Sequence, residues 1–220
     1  HADGNEMVDP VTAQVRAEHA VWPQDPGFQT ALEGGVTTMQ VLPGSGNLIG
    51  GRGVTLRNVQ ATTYQAMKFP GALQGLKMAC GENPKRYYGG MMRAPMTRMG
   101  NVAGYRQAFA DAQEYQRGLD KYARELAAYE KKQGKARSDT AVVVAAPAKG
   151  KDEEAAPPSA PKRDLRLETL AAAMRGEVLL QIHCYRADEM AVMLDIATEF
   201  GFRISAFHHG VEAYKLADTL

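Results

Sequence analysis

Two apolar runs separated by a helical pattern are the feature that most constrains the fold of this chain. The first run, residues 178–184, contains His183 and precedes a helical pattern over 187–200 that Gly201 ends. The second run, residues 202–207, leads directly into a pair of histidines. A strand, a helix and another strand in this order predict βα units in a parallel sheet. The pattern alone fits either a doubly wound sheet or a (β/α)8 barrel.

The preceding part of the chain carries further strand and helix patterns. Asp25 is a predicted N-cap with Pro26 at the first helical position, and Gly34 ends that short helix. A glycine-dense loop, residues 43–53, follows a β-branched run that reads as a buried strand. The predicted strands cover 36–42, 54–59 and 75–80, and the predicted helices cover 26–33, 104–131 and 164–175.

Residues 132–163 differ in composition from the rest of the chain. They are rich in Ala, Pro, Lys and Glu and hold few large apolar residues. Such a composition is typical of flexible segments, because it offers little apolar surface to bury. We therefore expect a flexible surface insertion within one domain that spans residues 1–220.

The overall charge excludes some classes of partner. The 220 residues are 45% hydrophobic and carry a net charge of +1, which argues against nucleic acid or an anionic membrane as the main partner. No apolar run approaches the roughly 20 residues needed to cross a bilayer. The two cysteines, Cys80 and Cys184, form neither a disulfide framework nor a CxxC metal motif, and they fit a reducing compartment.

The alternation of side chains along the strands predicts which polar groups share a face. The apolar set of residues 178–184 is expected to pack on helices, which leaves Gln181 and His183 facing the opposite side. The same reasoning turns His209, rather than His208, to that inner side. Lys77 is expected to face inward from the strand at 75–80.

Two histidines at the carboxyl ends of adjacent strands lie where (β/α)8 barrels build their active sites. Neutral imidazoles of His183 and His209 could hold Zn²⁺ and leave an open position for water. The alternative is that both are hydrogen-bonded core residues. The loop at 43–53 lacks the GK[ST] of a P-loop and the spacing of a dinucleotide fingerprint, so phosphate binding is not predicted.

Several sequence runs together resemble the metal-dependent amidohydrolases, specifically their imidazolonepropionase-like branch. The runs are ALEGGVTTMQVLPGSGNLIGG, GLKMACGENPKR, TRMGNVAGYRQAF, IHCYRADEM and HHGVEAYKLAD. The resemblance implies a (β/α)8 barrel with one or two metal ions, usually zinc, although another divalent metal is an option. It implies that His183 is a metal ligand, and that His209 is a ligand in a binuclear site or polarises the substrate carbonyl in a mononuclear one. Some branches of the family carry a carboxylated lysine on strand four that bridges two metals, and Lys77 matches that residue if residues 75–80 form strand four.

The chain departs from this family in two places. The HxH motif of strand one is absent, so His1 is not given that role, and the aspartate that ends strand eight would lie beyond Leu220. The resemblance therefore implies an α/β fold that is a partial (β/α)8 TIM barrel, about strands two to six. This incomplete barrel is expected to be inactive by itself.

The implied activity is hydrolysis of an amide or related C–N bond in a small-molecule or peptide substrate by a metal-activated water. The candidate substrate contacts in the loops near the strand ends are Asn47, Asn83, Arg98 and Arg186. We expect no nucleic-acid or membrane partner, and a homo-oligomer is compatible with the sequence. The alternatives are a non-catalytic scaffold derived from a barrel, and a metal-free hydrolase that uses histidine acid/base chemistry.

Overall fold

The computed structural model describes residues 3–140 and 156–220, with the side chains of 134–140 left out. The chain divides into two compact units, residues 1–112 with 164–220 and residues 113–163. The elements are α1 (Pro26–Glu33), β1 (Thr38–Val41), β2 (Ile49–Arg52), β3 (Val54–Arg57), α2 (Tyr64–Met67), β4 (Gly75–Ala79), α3 (Glu82–Gly90), α4 (Arg98–Thr140), α5 (Leu165–Met174), β5 (Leu179–Cys184), α6 (Ala187–Phe200) and β6 (Ile204–His209). Two 3-10 turns cover Ala17–Ala20 and Ala213–Leu216.

The first unit has an α/β fold built on a mixed four-stranded sheet in the order β2-β4-β5-β6. β4, β5 and β6 are parallel, as the sequence predicts, and β2 runs antiparallel to β4. Lys77 is paired with Gln181, and Ala79 with His183. This register sets the ends of β4 and β5 side by side.

The structure corrects two predictions for the region before β4. The glycine-dense segment at 43–53, which was predicted to be a loop, contains strand β2. Glycine is needed at position 51 of this strand, because a Cβ there would be only 2.6 Å from the Val15 carbonyl oxygen. The β-branched run at 36–42 is not a buried strand of the main sheet. Its central part, β1, pairs with β3 in a separate two-stranded sheet and is only half covered.

The core lies between the main sheet and the helices of the first unit. Leu180 and Ile182, which were expected to face the helix layer, are fully buried there, so this part of the face prediction is confirmed. They form one apolar cluster with Leu76, Met78, Phe109, Leu170, Met190, Met193 and Ile196. Burial of each large apolar side chain stabilises the fold by about 1.5–3 kcal/mol.

Helix ends follow their sequence signals closely. The Asp25 side chain accepts a hydrogen bond from the Gly27 amide at 2.7 Å, and Gly201 ends α6 with a left-handed φ of 73°. α4 begins before the predicted 104 and continues to Thr140, so it runs into the segment predicted as a flexible insertion. The part of that insertion at 141–155 lies outside the described residues, and its flexibility stays a prediction.

In the second unit, α4 carries a half-covered stripe with the predicted helical spacing. The residues are Tyr115, Leu119, Tyr122, Leu126 and Tyr129. Among the described residues, no helix combines the length and apolar character that a bilayer crossing requires.

Candidate functional site: a histidine cluster at the strand ends

His183 forms the centre of the site. It lies near the end of β5 and is only 2% exposed. Its Nε2 is 3.0 Å from the Asn83 side-chain nitrogen, whereas its buried Nδ1 has no hydrogen-bond partner among the described residues. Because the nitrogen and oxygen of an asparagine amide exchange by a flip, Nε2 can either accept from or donate to Asn83. In the second arrangement, the lone pair of Nδ1 is free for another partner.

The imidazole of His209 packs against that of His183. The ring centroids are 4.4 Å apart with an interplanar angle of 67°. His209 has a φ of 70°, a left-handed conformation that costs a non-glycine residue about 1–3 kcal/mol. This backbone turn brings the ring to His183 although Cys184, not His183, is the register partner of His209.

The prediction that His208 points away from the site is wrong. The pairing of β5 with β6 shifts between Leu180 and Gln181, and beyond the shift His183 is paired with His208. His208 Nε2 then lies 3.1 Å from the Gln181 side-chain oxygen. The bulge resets the strict alternation on which the prediction depended. The site therefore contains three histidines.

Tyr185 also belongs to the cluster, and the sequence analysis missed it. Its ring centroid lies 4.5 Å from that of His183 and 5.4 Å from that of His209. The sequence pattern that could have identified Tyr185 is its position two residues after His183, because residues two apart lie on the same side of an extended chain.

Lys77 approaches the site from β4 and is 6% exposed. Its Nζ donates hydrogen bonds to Ser45 Oγ at 2.7 Å and to the Pro43 carbonyl at 3.3 Å. Burial lowers the pKa of Lys77 to about 8. Since Lys77 is paired with Gln181 in a parallel sheet, it lies on the face that holds His183, as the sequence predicts.

The electrostatic environment favours neutral imidazoles. Burial lowers the pKa of His183 to about 4, with further contributions from His209, Lys77 and His208. The pKa of His208 is also lowered, again chiefly by burial. A neutral imidazole is the form that binds a metal ion.

Among the predicted substrate contacts, Asn83 is the one that contacts the cluster. Asn47 is buried and donates to the backbone carbonyls of Glu6 and Asp9, so it anchors the N-terminal segment. Arg98 and Arg186 form ion pairs with acidic residues of α6, as described below. A role for these three in substrate binding stays a prediction.

The structure also corrects the reading of the two cysteines as unpaired. Cys80 and Cys184 form a disulfide with a Cα–Cα distance of 5.2 Å, and both lie in the core cluster. The carboxyl oxygen of Glu189 lies 3.9 Å from Cys80 Sγ. The bond joins the chain at the ends of β4 and β5, next to His183.

Two cavities differ in their relation to the cluster. Neither is lined by His183, His208 or His209. The larger, of about 840 Å³, is lined by residues such as Trp22 and Phe28 and reaches Pro43, whose carbonyl accepts from Lys77. The smaller, of about 470 Å³, is lined by Asn83, which contacts His183, and by Ser45, which accepts a hydrogen bond from Lys77. The smaller cavity therefore opens beside the cluster, and we consider it the more relevant to chemistry.

Comparison with known proteins found one similar curated protein and one similar solved structure. No family model matches the chain. Two proteins that are similar to it over nearly its whole length are named amidohydrolases.

One relative is the amidohydrolase tasK of Hapsidospora irregularis, which is 33% identical over an alignment of 227 positions that covers 99% of this chain and 21% of the relative. A similar solved structure is the crystal structure of an amidohydrolase from Thermotoga maritima MSB8. Its identity is 32% and its TM-score 0.75, over 99% of this chain and 48% of that chain. The chain thus spans about a fifth of the curated relative and about half of the solved structure.

Proposed function

We propose that this chain carries about strands two to six of a (β/α)8-barrel hydrolase of the imidazolonepropionase-like branch. The complete protein cleaves an amide or related C–N bond in a small-molecule or peptide substrate. The observation that carries the proposal is the packing of His183 against His209, with a buried ring nitrogen of His183 left without a described partner. The names of the similar proteins agree with amide hydrolysis.

The side chains of the cluster suit a divalent metal such as zinc. Imidazole nitrogen is a common zinc ligand, and burial keeps the His183 ring uncharged, which is the form that binds a metal. Buried polar atoms normally have a hydrogen-bond partner in the protein or in water, and Nδ1 of His183 has none among the described residues. We assign His183 and His209 as the ligands of this metal.

Lys77 suits a second ligand position. A pKa near 8 leaves about a tenth of the side chain as the free amine at pH 7, far more than for an ordinary lysine. The free amine adds to CO₂ and releases one proton, which gives a carbamate with two oxygen ligands. Ser45, which accepts from Nζ at 2.7 Å, would then hydrogen-bond the carbamate nitrogen.

A bound zinc ion would supply Lewis acidity and a water that ionises near neutral pH. The residues of the chain orient the reaction around it. Asn83 fixes the His183 ring, as outer-shell partners of metal ligands commonly do. Gln181 holds His208, whose ring can then exchange a hydrogen bond with the substrate carbonyl or the leaving nitrogen. Tyr185 covers the two packed imidazoles and limits the access of water.

Metal analysis of the intact protein tests this proposal. We expect near-stoichiometric zinc, and loss of both zinc and amide hydrolysis in the His183→Ala, His209→Ala double variant. His19→Ala is the matched control, because His19 is an exposed histidine outside the cluster, 3.8 Å from Glu18. Intact protein without metal above background would contradict the proposal and leave a scaffold or a metal-free hydrolase.

A further inference from the structure

We propose that reduced Cys80 and Cys184, together with Glu189, bind a thiophilic divalent ion such as Zn²⁺, and that formation of the disulfide expels this ion. We call these three residues the sulfur site. They are separate from His183 and His209, the proposed ligands of the catalytic metal. The disulfide closes the sulfur site in the unreduced protein. The inference does not depend on the proposed hydrolase function.

The side chains of the sulfur site converge although they come from three different elements. Cys80 follows β4, Cys184 ends β5, and Glu189 lies in the first turn of α6. The two sulfurs and one carboxyl oxygen of Glu189 all lie within 4.8 Å of one another. Ligand atoms around a tetrahedral zinc ion are about 3.5–3.8 Å apart, because Zn–S and Zn–O bonds are about 2.3 and 2.1 Å long. Once the S–S bond is open, small side-chain rotations therefore suffice to surround an ion.

The Glu189 carboxylate is held against the cysteines with one oxygen unused. Its side chain is 9% exposed, and its Oε1 accepts a hydrogen bond from Arg98 Nε at 2.6 Å. Its Oε2 lies 3.9 Å from Cys80 Sγ, which carries no proton in the disulfide and therefore donates nothing. Within the described part of the chain, no other donor reaches Oε2. Buried polar atoms normally have a partner, and a metal ion between the sulfurs and Oε2 would provide one.

The backbone beside the sulfur site leaves room for this carboxylate. Gly81 has a φ of 76°, and a Cβ at this position would collide with Oε2 of Glu189. The Asn101 side chain donates to the Gly81 carbonyl at 2.7 Å and fixes the turn. A glycine at position 81 is therefore what lets Glu189 reach the sulfurs.

The ligand set determines which ions the sulfur site prefers. Thiolates favour Zn²⁺ and similarly soft ions, whereas Mg²⁺ and Ca²⁺ prefer oxygen ligands alone. Two thiolates and one carboxylate carry three negative charges, which a divalent ion and the nearby Arg98 guanidinium neutralise. Three protein ligands leave a fourth position for water in a tetrahedral arrangement.

Thiol–disulfide exchange with a dithiol reductant opens the site. One reductant thiolate attacks Cys80, which is 4% exposed against 0% for Cys184, and the Cys184 thiolate leaves. The second reductant thiol then releases Cys80 and closes the reductant into its own disulfide. Two electrons and two protons have passed to the cysteines, and the ion displaces both protons when it binds. Exchange with an oxidised dithiol reverses these steps and expels the ion.

Cadmium titration of the intact protein tests the inference, because Cd²⁺ bound to thiolates has a charge-transfer band in the ultraviolet. The titration uses the His183→Ala, His209→Ala double variant, so that the proposed catalytic site does not contribute. After reduction by a dithiol and removal of the reductant, we expect the band to appear with one Cd²⁺ per chain. The unreduced protein should show no band, and the additional substitutions Cys80→Ala and Cys184→Ala should abolish it.

Glu189→Gln distinguishes the assembled site from two thiols that merely lie close together. In the reduced protein this substitution should weaken Cd²⁺ binding at least tenfold. Glu199→Gln is the matched control on the same helix, because its exposed carboxylate pairs with Arg106, and it should leave the affinity unchanged. Reduced protein without the band would overturn the inference. Equal affinity in Glu189→Gln would overturn it as well, and an unfolded reduced chain would give that same result.

Discussion

The rings of His183 and His209 lie 4.4 Å apart although the two residues are not partners in the strand register. His183 is paired with His208, and the left-handed backbone of His209 turns its ring back toward His183. The contact thus depends on a strained residue at the end of β6. A strained backbone conformation persists only where the surrounding structure imposes it, and such conformations are concentrated at functional sites.

The strain at His209 predicts an unusual order of stability between two variants. Glycine adopts a φ of 70° without steric cost, so His209→Gly should have a free energy of unfolding about 1 kcal/mol above that of His209→Ala. Urea titrations of both variants measure the difference. The same pair of substitutions at Thr55, a regularly paired position of β3, should give the opposite order, and an identical order at both positions would contradict the assigned backbone strain.

The Cys80–Cys184 disulfide predicts a large effect of reductant on stability. The two cysteines are 104 residues apart, and chain-entropy models assign about 4.7 kcal/mol to closing a loop of about this length. Reduction of wild type should therefore lower the free energy of unfolding by roughly 2–5 kcal/mol. Urea titrations with and without reductant measure this loss.

The Cys80→Ala, Cys184→Ala double variant is the control for that experiment, because its stability should not respond to reductant. Two titratable thiols in unreduced, denatured wild type would show that the bond is absent.

The lowered pKa of Lys77 predicts how stability depends on pH in the metal-free protein without CO₂. Between pH 8 and the ordinary lysine value of 10.5, the unfolded state binds more protons at Lys77 than the folded state does. Stability from this group therefore rises with pH across that window, by roughly 3 kcal/mol at most. Below pH 8 the full cost of the buried charge remains.

The Lys77→Met variant isolates this effect, since all other titrating groups are shared with wild type. The stability advantage of Lys77→Met over wild type should shrink as the pH rises from 8 to 10.5. A difference that does not change with pH would show that the folded and unfolded pKa values of Lys77 are the same.

Arg98 and Arg186 provide a comparison between an ion pair with a buried carboxylate and an ion pair that is exposed on both sides. Arg98 Nε lies 2.6 Å from a carboxyl oxygen of Glu189, whose side chain is 9% exposed, whereas Arg186 and Asp188 are both well exposed. Arg98→Met leaves a buried carboxylate unpaired and should cost about 1–3 kcal/mol of folding free energy. Arg186→Met should change the thermal unfolding midpoint very little. Equal losses in the two variants would contradict the structural role of Arg98.

The parts of the fold that follow a regular period could be predicted from the sequence. The alternation in β5 correctly placed Leu180 and Ile182 against the helices and His183 on the other face. Capping signals at Asp25 and Gly201 also located helix ends correctly, because each acts through a local backbone requirement.

Features that break the period could not be predicted. The bulge between β5 and β6 reversed the expected face of His208, and strand β2 lay hidden in a glycine-rich run that single-residue propensity disfavours. The disulfide joins cysteines 104 residues apart, and no local pattern reports that distance. Long-range packing decides each of these features.

The most direct test of the metal centre is a crystal structure of the intact protein with anomalous diffraction data collected at the zinc edge. We predict an anomalous peak about 2.0–2.1 Å from one ring nitrogen of His183 and one of His209. A peak instead beside Cys80, Cys184 and Glu189, which lie within ligand distance of one another, would require reduced cysteines and would contradict both this account and the disulfide. A map without a peak at the histidines, from crystals grown with zinc, would contradict it equally.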